Sequence, residues 1–283
     1  MLGTTLSTVE GSKGERLAQD RRLYSTDLAY IHDAGFGDFA EHAAPEVIRI
    51  LRRHRIHPST LPGRPERRGT AGSGRAGRVV EVGCGSGTLA RHLVDAGYNV
   101  VGFDISPAMI RLAREKVPEA TFRVASLTEA RMPRCDAVVA IGEVVTYVPA
   151  RGSGIVLPPA LRKFFSRVHE ALEPGGLFIF DFIESGKRRT YPATCHSGKD
   201  WVAAVHAELD KPGQVLTRRM IAIRQVGRQY RRTQESHRVR IYSRRAVAKA
   251  LADAGFTARM SRSYGRYRLL AGDVAVIAKR EEM

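Results

Sequence analysis

The sequence predicts an α/β fold built around a parallel sheet, and three observations predict it. Short runs of β-branched residues alternate with helical segments of about ten residues from residue 79 onward, which is the pattern of βαβ units with right-handed crossovers. A glycine-rich turn over 83–87 joins the first of these strands to the first helix. The segment 137–141 is wholly apolar, as a strand buried on both faces of a parallel sheet is.

The individual elements follow from local patterns. Apolar residues at helical spacing predict helices within 24–58, interrupted by a turn at 35–38. Ser106 is placed to cap a helix that Pro107 begins. The five predicted parallel strands are 79–82, 100–104, 121–124, 137–141 and 177–182, and the helices between them are 88–96, 107–117 and 161–172.

The pattern changes after residue 198. Apolar and polar residues alternate over 201–209, 215–226 and 230–242, which predicts an antiparallel β insertion of two or three strands at about 198–242. A helix over 247–254 and closing strands over 256–262 and 273–278 follow.

Four parts of the chain are distinguished by composition. Residues 1–20 are polar and predict a disordered lead-in, and 21–57 form an N-terminal helical segment. Residues 58–77 are rich in Pro, Gly, Ser and Arg and predict a linker or loop. The α/β domain then occupies 78–283 with the insertion inside it.

The net charge of +17 raises the possibility of a nucleic-acid partner. The basic residues are mostly Arg and are spread along the chain instead of forming one footprint, so nucleic acid is possible but not favoured. The inserted strands carry a concentration of Arg, for which a solvated sheet face is favoured over a surface for an acidic substrate. The residues concerned are Arg218, Arg219, Arg224, Arg228, Arg231 and Arg232.

Three cysteines without zinc-clamp spacing predict a reduced, cytoplasmic protein with no metal site. No apolar run approaches the roughly 20 residues that span a bilayer, and residues 1–20 lack the apolar core of a secretory signal. We expect no membrane partner and a monomer or homodimer.

The turn Glu81-Val82-Gly83-Cys84-Gly85-Ser86-Gly87 is the strongest chemical signal, because it follows a strand and opens a helix. Glycines there let a ligand approach the backbone. The dinucleotide fingerprint needs a small residue where Thr88 stands, so an NAD-binding Rossmann protein is the weaker interpretation. Asp104, at the end of the second strand, is suited to accept hydrogen bonds from both hydroxyls of a ribose.

Together with Asp104-Ile105-Ser106-Pro107 and Pro174-Gly175-Gly176-Leu177, this turn resembles the class I S-adenosylmethionine-dependent methyltransferases. The resemblance covers about residues 77–183. It implies a Rossmann-like seven-stranded sheet of order 3-2-1-4-5-7-6, with the last strand antiparallel. In related small-molecule enzymes the N-terminal helices and an insertion after strand five close over the active site, so 21–57 is expected to act as a lid.

The resemblance also implies which residues hold S-adenosylmethionine. The methionine part would be lined by Gly83, Cys84, Gly85 and Gly87, and its amino group would be oriented by Glu81. The ribose would be held by Asp104, and the adenine would be faced by Ile105 and Met109. Beside the methionine part and the substrate would lie Ile141 and Gly142. Many members have an acidic residue after strand three for the adenine amino group. Here Ser126 and the backbone of Leu127 stand at that place.

Methyl transfer depends mostly on positioning, and only a hydroxyl acceptor gains from a general base. The candidates for base or positioning roles are Glu143, Tyr147, His32 and His237. The predicted activity is methyl transfer to nitrogen or oxygen of a small-molecule acceptor. An RNA or protein methyltransferase is the alternative that the basic charge leaves open.

Overall fold

The computed structural model describes residues 23–58, 77–147, 157–186, 191–210 and 214–281. The predicted lead-in over 1–20 lies outside the described residues, and so does the predicted linker apart from Pro58 and Gly77.

The helices begin and end close to where the sequence patterns place them. They are α1 (Thr26–Gly35), α2 (Asp38–Arg53), α3 (Thr88–Asp95), α4 (Pro107–Lys116), α5 (Pro159–Ala171) and α6 (Arg244–Asp253), with a 3-10 turn at Val144–Tyr147. Ser106 caps α4 as predicted, because its hydroxyl accepts a hydrogen bond from the backbone N–H of Met109 at 3.2 Å.

The strands fall into a central sheet, an inserted sheet and a short hairpin. They are β1 (Arg78–Val82), β2 (Asn99–Asp104), β3 (Thr121–Val124), β4 (Cys135–Ala140), β5 (Leu172–Ile183), β6 (Thr194–Ser197), β7 (Trp201–Leu209), β8 (Val215–Val226), β9 (Gln229–Arg240), β10 (Phe256–Ser261), β11 (Ser263–Tyr264), β12 (Tyr267–Arg268) and β13 (Asp273–Arg280).

The central sheet has the order β3-β2-β1-β4-β5-β13-β10, which confirms the predicted seven-stranded topology. The first five of these strands are parallel to their neighbours, and β13 pairs antiparallel with both β5 and β10. Strands β10 and β13 therefore stand in the places of strands six and seven.

Two cores flank this sheet. On one side Phe164 and Phe165 of α5 pack against Phe178 and Phe180 of β5. On the other side the buried residues of α2 and α3, among them Leu51, pack against β1 and β2. Because both faces are covered, the centres of the middle strands are apolar, and Glu81, Asp104 and Asp181 lie toward the carboxyl ends of their strands.

The insertion is a four-stranded antiparallel sheet of order β6-β7-β8-β9, whereas two or three strands were predicted, and the additional strand β6 precedes the predicted start at about residue 198. Strand β6 is exposed along its whole length, so it carries no alternation that the sequence would reveal. One face of this sheet packs on α1, where the Trp201 ring lies with Ile31 and Phe36, and the Arg224 guanidinium lies 3.3 Å from the centre of the Tyr30 ring.

Within the described ranges, no helix is both long and apolar enough to cross a bilayer. The same residues contain no group of three or more His, Cys, Asp or Glu side chains that could hold a metal ion.

Candidate active site

A cavity of about 660 Å³ lies at the carboxyl ends of β1, β2, β4 and β5. The N-terminal segment before α1, the start of α2 and strand β8 enclose it. Of the twelve predicted cofactor residues, all except Gly87 line this cavity: Glu81, Gly83, Cys84, Gly85, Asp104, Ile105, Met109, Ser126, Leu127, Ile141 and Gly142.

The three glycines of the turn all have positive φ, but they have different tasks. A Cβ on Gly83 would lie 2.4 Å from Cγ2 of Val144, so this glycine permits close packing. A Cβ on Gly85 would meet no atom within 4 Å, which leaves room for a ligand against the backbone. A Cβ on Gly87 would lie 3.1 Å from Ala113 of α4. Gly87 therefore allows α3 and α4 to pack and does not line the cavity, which corrects its predicted role.

Glu81 provides an unsatisfied carboxylate at this site. Its side chain is buried, and its Oε2 has no hydrogen-bond partner. Burial, helped by the charge of Asp104, raises the pKa of Glu81 to about 8. A buried carboxyl group with an unpartnered oxygen is suited to a cationic ligand group, such as the amino group of S-adenosylmethionine.

Asp104 is held rigidly for its predicted ribose role. One carboxylate oxygen accepts from the Gly85 N–H at 2.9 Å and the other accepts from the Ser106 N–H at 2.8 Å. Burial raises the pKa of Asp104, although these two hydrogen bonds oppose the rise. Each oxygen keeps a free lone pair, so both hydroxyls of a ribose can still be accommodated.

The part of the cavity predicted to hold the adenine contains an acidic residue that the sequence patterns did not reveal. The Ser126 hydroxyl donates to Glu129 at 2.8 Å, and Ser126, Leu127 and Glu129 all line the cavity. Glu129 lies beyond the segment over 124–127 that was examined for an acidic residue. The turn after β3, in which the Glu129 N–H donates to the Ser126 carbonyl, places it at the cavity. In the sequence, only the position of Glu129 three residues after Ser126 could have indicated this acidic group.

The loop after β4 is held in an unusual conformation. Both Gly142 (φ 85°) and Glu143 (φ 63°) are left-handed, a state that costs an ordinary residue about 1–2 kcal/mol. Asp181 of β5 stabilises the loop, because its carboxylate accepts from the N–H groups of both residues and from the Tyr264 hydroxyl. Burial raises the pKa of Asp181 to about 7.

This conformation directs Glu143 at the inserted sheet, where Arg218 of β8 donates to its carboxylate at 2.6 Å. The interpretation of the inserted arginines as a solvated face is thus wrong for Arg218, which lines the cavity, and for Arg224, which pairs with Asp27. The pleat of the strand explains the difference, because side chains of β8 alternate between the face that packs on α1 and the face exposed to solvent. The interpretation as a solvated face remains valid for exposed arginines such as Arg219.

The candidates His32 and Tyr147 line the cavity, and so does Tyr24, which the sequence patterns missed. Burial lowers the pKa of His32 to about 4, so the imidazole is neutral near pH 7, and its Nδ1 is buried without a partner. Burial also raises the pKa of Tyr24, and the adjacent phenol of Tyr147 adds to that rise.

His237 is the one catalytic candidate that does not line the cavity, so of its two predicted roles the structure favours positioning over that of a base. Its Nε2 is 2.8 Å from Glu235, and its ring is covered by the rings of Tyr24 and Tyr147, whose centres are 4.8 Å and 6.1 Å away. His237 lies on β9 opposite Arg218 of β8.

The charge of the cavity is opposite to that of the whole chain. In a protein of net charge +17, the described residues of the lining provide one guanidinium, Arg218, and six carboxyl groups. These are Glu81, Asp104, Glu129, Glu143, Asp181 and Asp273. The cavity therefore favours ligands that carry or develop positive charge.

Comparison with known proteins agrees with this geometry. Residues 79–176 match the model of a methyltransferase-domain family. A putative methyltransferase of Geobacillus sp. (strain WCH70) is 27% identical over 190 residues, which is 65% of this chain and 76% of that protein. The dTDP-3-amino-3,6-dideoxy-alpha-D-glucopyranose N,N-dimethyltransferase of Streptomyces fradiae is 22% identical over 83% of this chain and 85% of that enzyme.

The fold is similar to that of an S-adenosylmethionine-dependent methyltransferase from Clostridium acetobutylicum, with a TM-score of 0.70 at 14% identity, over 90% of this chain and 98% of that one. The family match, the strand order and the glycine turn agree on one assignment. Residues 79–176 form the core of a class I S-adenosylmethionine-dependent methyltransferase domain.

Proposed function

We propose that this protein transfers a methyl group from S-adenosylmethionine to nitrogen or oxygen of a small-molecule acceptor. The observation that carries the proposal is the open space at Gly85, which lies between the unsatisfied carboxyl of Glu81 and the fixed carboxylate of Asp104. When bound there, S-adenosylmethionine supplies an electrophilic methyl group on its sulfonium.

The chain's own residues have separable tasks in this proposal. Glu81 pairs with the amino group, Asp104 accepts from the ribose, and Ser126, Leu127 and Glu129 lie at the adenine end. Tyr24 and the other aromatic side chains of the lining exclude water from the acceptor side, where positioning supplies most of the rate enhancement.

A nitrogen acceptor is favoured by the charge of the cavity. Methylation of a neutral amine develops positive charge on nitrogen, and the excess of carboxyl groups over guanidinium groups in the described lining favours that charge. The Streptomyces fradiae relative is named for methylating an amino sugar nucleotide, which agrees with this choice. The neutral imidazole of His32 lines the cavity, and one of its nitrogens can accept a hydrogen bond from the substrate amine.

The proposed cofactor is tested by titration calorimetry with S-adenosylmethionine and its demethylated product. We expect both to bind, and Asp104→Asn to weaken binding about 10- to 100-fold, since it removes a charge-assisted contact of about 1.5–3 kcal/mol. Asp95→Asn is the matched control, because Asp95 is exposed and pairs with Arg91. Absence of binding at millimolar cofactor would contradict the proposal.

The acceptor class is tested by incubating the protein with trideuteromethyl-labelled cofactor and matched panels of small amines and alcohols, with mass spectrometry as the readout. Labelled amines are the expected products, and labelled alcohols alone would contradict the choice of nitrogen. A macromolecular polyanion acceptor would instead give binding that weakens steeply with salt.

We also infer a cytoplasmic monomer or homodimer. The free thiols of Cys84 and Cys135, both buried, support a reducing environment. The division into a lid over 21–57 and a methyltransferase domain over 78–283 is supported by the way α1 packs on the inserted sheet.

A further inference from the structure

We propose that Glu235 is a positioning residue of the active site, whose carboxylate holds the backbone of Tyr24 and Ser25 so that the Tyr24 phenol forms the cavity wall beside Tyr147. The catalytic relevance of this wall rests on the proposed function, whereas the contacts that hold it do not.

The backbone of Tyr24 needs such a support. Tyr24 has a φ of 54°, in the left-handed region that an aromatic residue rarely adopts. The Tyr24 N–H donates to Oε2 of Glu235 and the Ser25 N–H donates to Oε1, both at 2.8 Å. One carboxylate therefore binds two successive backbone N–H groups and stabilises the conformation between them.

Glu235 is itself oriented by His237. The imidazole Nε2 of His237 lies 2.8 Å from Oε2 of Glu235, and the side chains are 1% and 7% exposed. Although burial opposes ionisation, the hydrogen bonds from His237 and Ser25 keep the pKa of Glu235 below its usual value. This gives His237 an indirect task, in which it fixes the carboxylate that fixes Tyr24.

The other end of the Tyr24 peptide is joined to the cofactor side. The Tyr24 carbonyl accepts from the Ser106 hydroxyl at 2.7 Å, and the Ser106 N–H donates to Asp104 at 2.8 Å. Tyr24 thus connects the inserted sheet to the carboxylate predicted to hold the ribose. Loss of the Glu235 carboxylate should therefore loosen Tyr24 and lower the affinity of the cofactor site for its ligand.

Glu235→Gln is the informative variant, because an amide has one acceptor oxygen and its NH₂ group would face a backbone N–H. Glu208→Gln is the matched control. Glu208 is on β7 of the same sheet, is 61% exposed, and pairs with Arg219.

The first readout is the amide resonance of Tyr24 in protein labelled with ¹⁵N-tyrosine, assigned by its loss in Tyr24→Phe. We expect a strongly downfield amide proton that moves upfield in Glu235→Gln and stays in place in Glu208→Gln. An unmoved Tyr24 resonance in Glu235→Gln would overturn the proposal. If that variant does not fold, Glu235→Asp replaces it, because the carboxylate is then one methylene farther from the two N–H groups, and an unmoved Tyr24 resonance there would equally overturn the proposal.

The second readout is binding of S-adenosylhomocysteine by calorimetry. We expect Glu235→Gln to weaken it about five- to tenfold, in the usual range for coupled sites, and Glu208→Gln to leave it unchanged. In a Tyr24→Gly background, where the left-handed backbone needs no support, Glu235→Gln should have little further effect. An equal loss in both backgrounds would overturn the proposal. Failure of the wild-type protein to bind would contradict the proposed function instead.

Discussion

The guanidinium of Arg218 donates to the carboxylate of Glu143 across 2.6 Å, and this ion pair joins the inserted sheet to the loop after β4. The two residues are 75 positions apart in the chain. Their side chains are 25% and 14% exposed, so the pair is partly desolvated at the cavity wall. Loss of one partner leaves the other as an uncompensated charge.

We therefore expect Arg218→Met to lower the free energy of unfolding by about 1–3 kcal/mol, less than for a fully buried pair because some solvent reaches it. Urea denaturation measures this. Arg219→Met should cost under about 1 kcal/mol, because Arg219 is 54% exposed and pairs with Glu208 on the outer face. The double variant Glu143→Gln/Arg218→Met should lose less than the two single variants together, and simple additivity would argue against a coupled pair.

Gly85→Ala should separate ligand binding from folding. Its φ of 51° makes alanine strained by about 1 kcal/mol, but the added methyl meets no protein atom and enters the cavity. We expect a modest loss of stability and a large loss of cofactor affinity by calorimetry. Gly227→Ala is the control, since Gly227 has a φ of 63° and equally open surroundings at the tip of a hairpin. Equal cofactor affinity in the two variants would contradict the placement of the ligand.

The pKa of Glu81 predicts how stability depends on pH. Because burial raises this pKa to about 8, the folded protein holds a proton that the unfolded chain, with an ordinary value of 4.5, releases. The contribution of Glu81 to the free energy of unfolding therefore falls as pH rises from about 4.5 to 8. Asp181 adds a slope of the same sign up to about pH 7. Glu81→Gln should flatten the profile from pH 7 to 8, and an unchanged slope would show that Glu81 is already ionised.

Cofactor binding should reverse this protonation. A cationic amino group beside Glu81 favours the ionised carboxylate, so binding at pH 7 should release most of one proton. Calorimetry in buffers of different ionisation enthalpy measures that proton directly. Affinity should rise up to about tenfold per pH unit below pH 8 in the wild type and stay flat in Glu81→Gln. A buffer-independent enthalpy would contradict contact between Glu81 and the amino group.

The docking of α1 on the inserted sheet can be followed through Trp201, the one tryptophan in the sequence. Asp27 of α1 pairs with Arg224 and Arg231. Asp27→Asn should weaken this docking, cost about 1–3 kcal/mol and shift Trp201 emission to longer wavelengths, because the indole leaves its contacts with α1. Asp253→Asn, at an exposed pair with Lys249, should change neither quantity. Unchanged emission in Asp27→Asn would contradict a lid held by these contacts.

The sequence by itself determined the features that depend on short spacings. The strand and helix boundaries, the glycine turn and the position of Asp104 follow from periodicity and from residues a few positions apart. Right-handed βαβ crossovers then leave few possible orders for the first five strands. The seven-stranded order itself was implied by the resemblance to class I methyltransferases, while exposed strand β6 and the short hairpin β11–β12 left too little pattern.

Only the tertiary structure decided which side chains form the acceptor side of the cavity. Alternation in β8 predicts that Arg218 and Arg219 face opposite ways, but it does not say which face is buried. That choice is made by packing against α1 and the loop after β4. The same packing brings Tyr24 into the wall, places His237 behind it, and assigns to Glu235 the two N–H groups of a segment about 210 residues away.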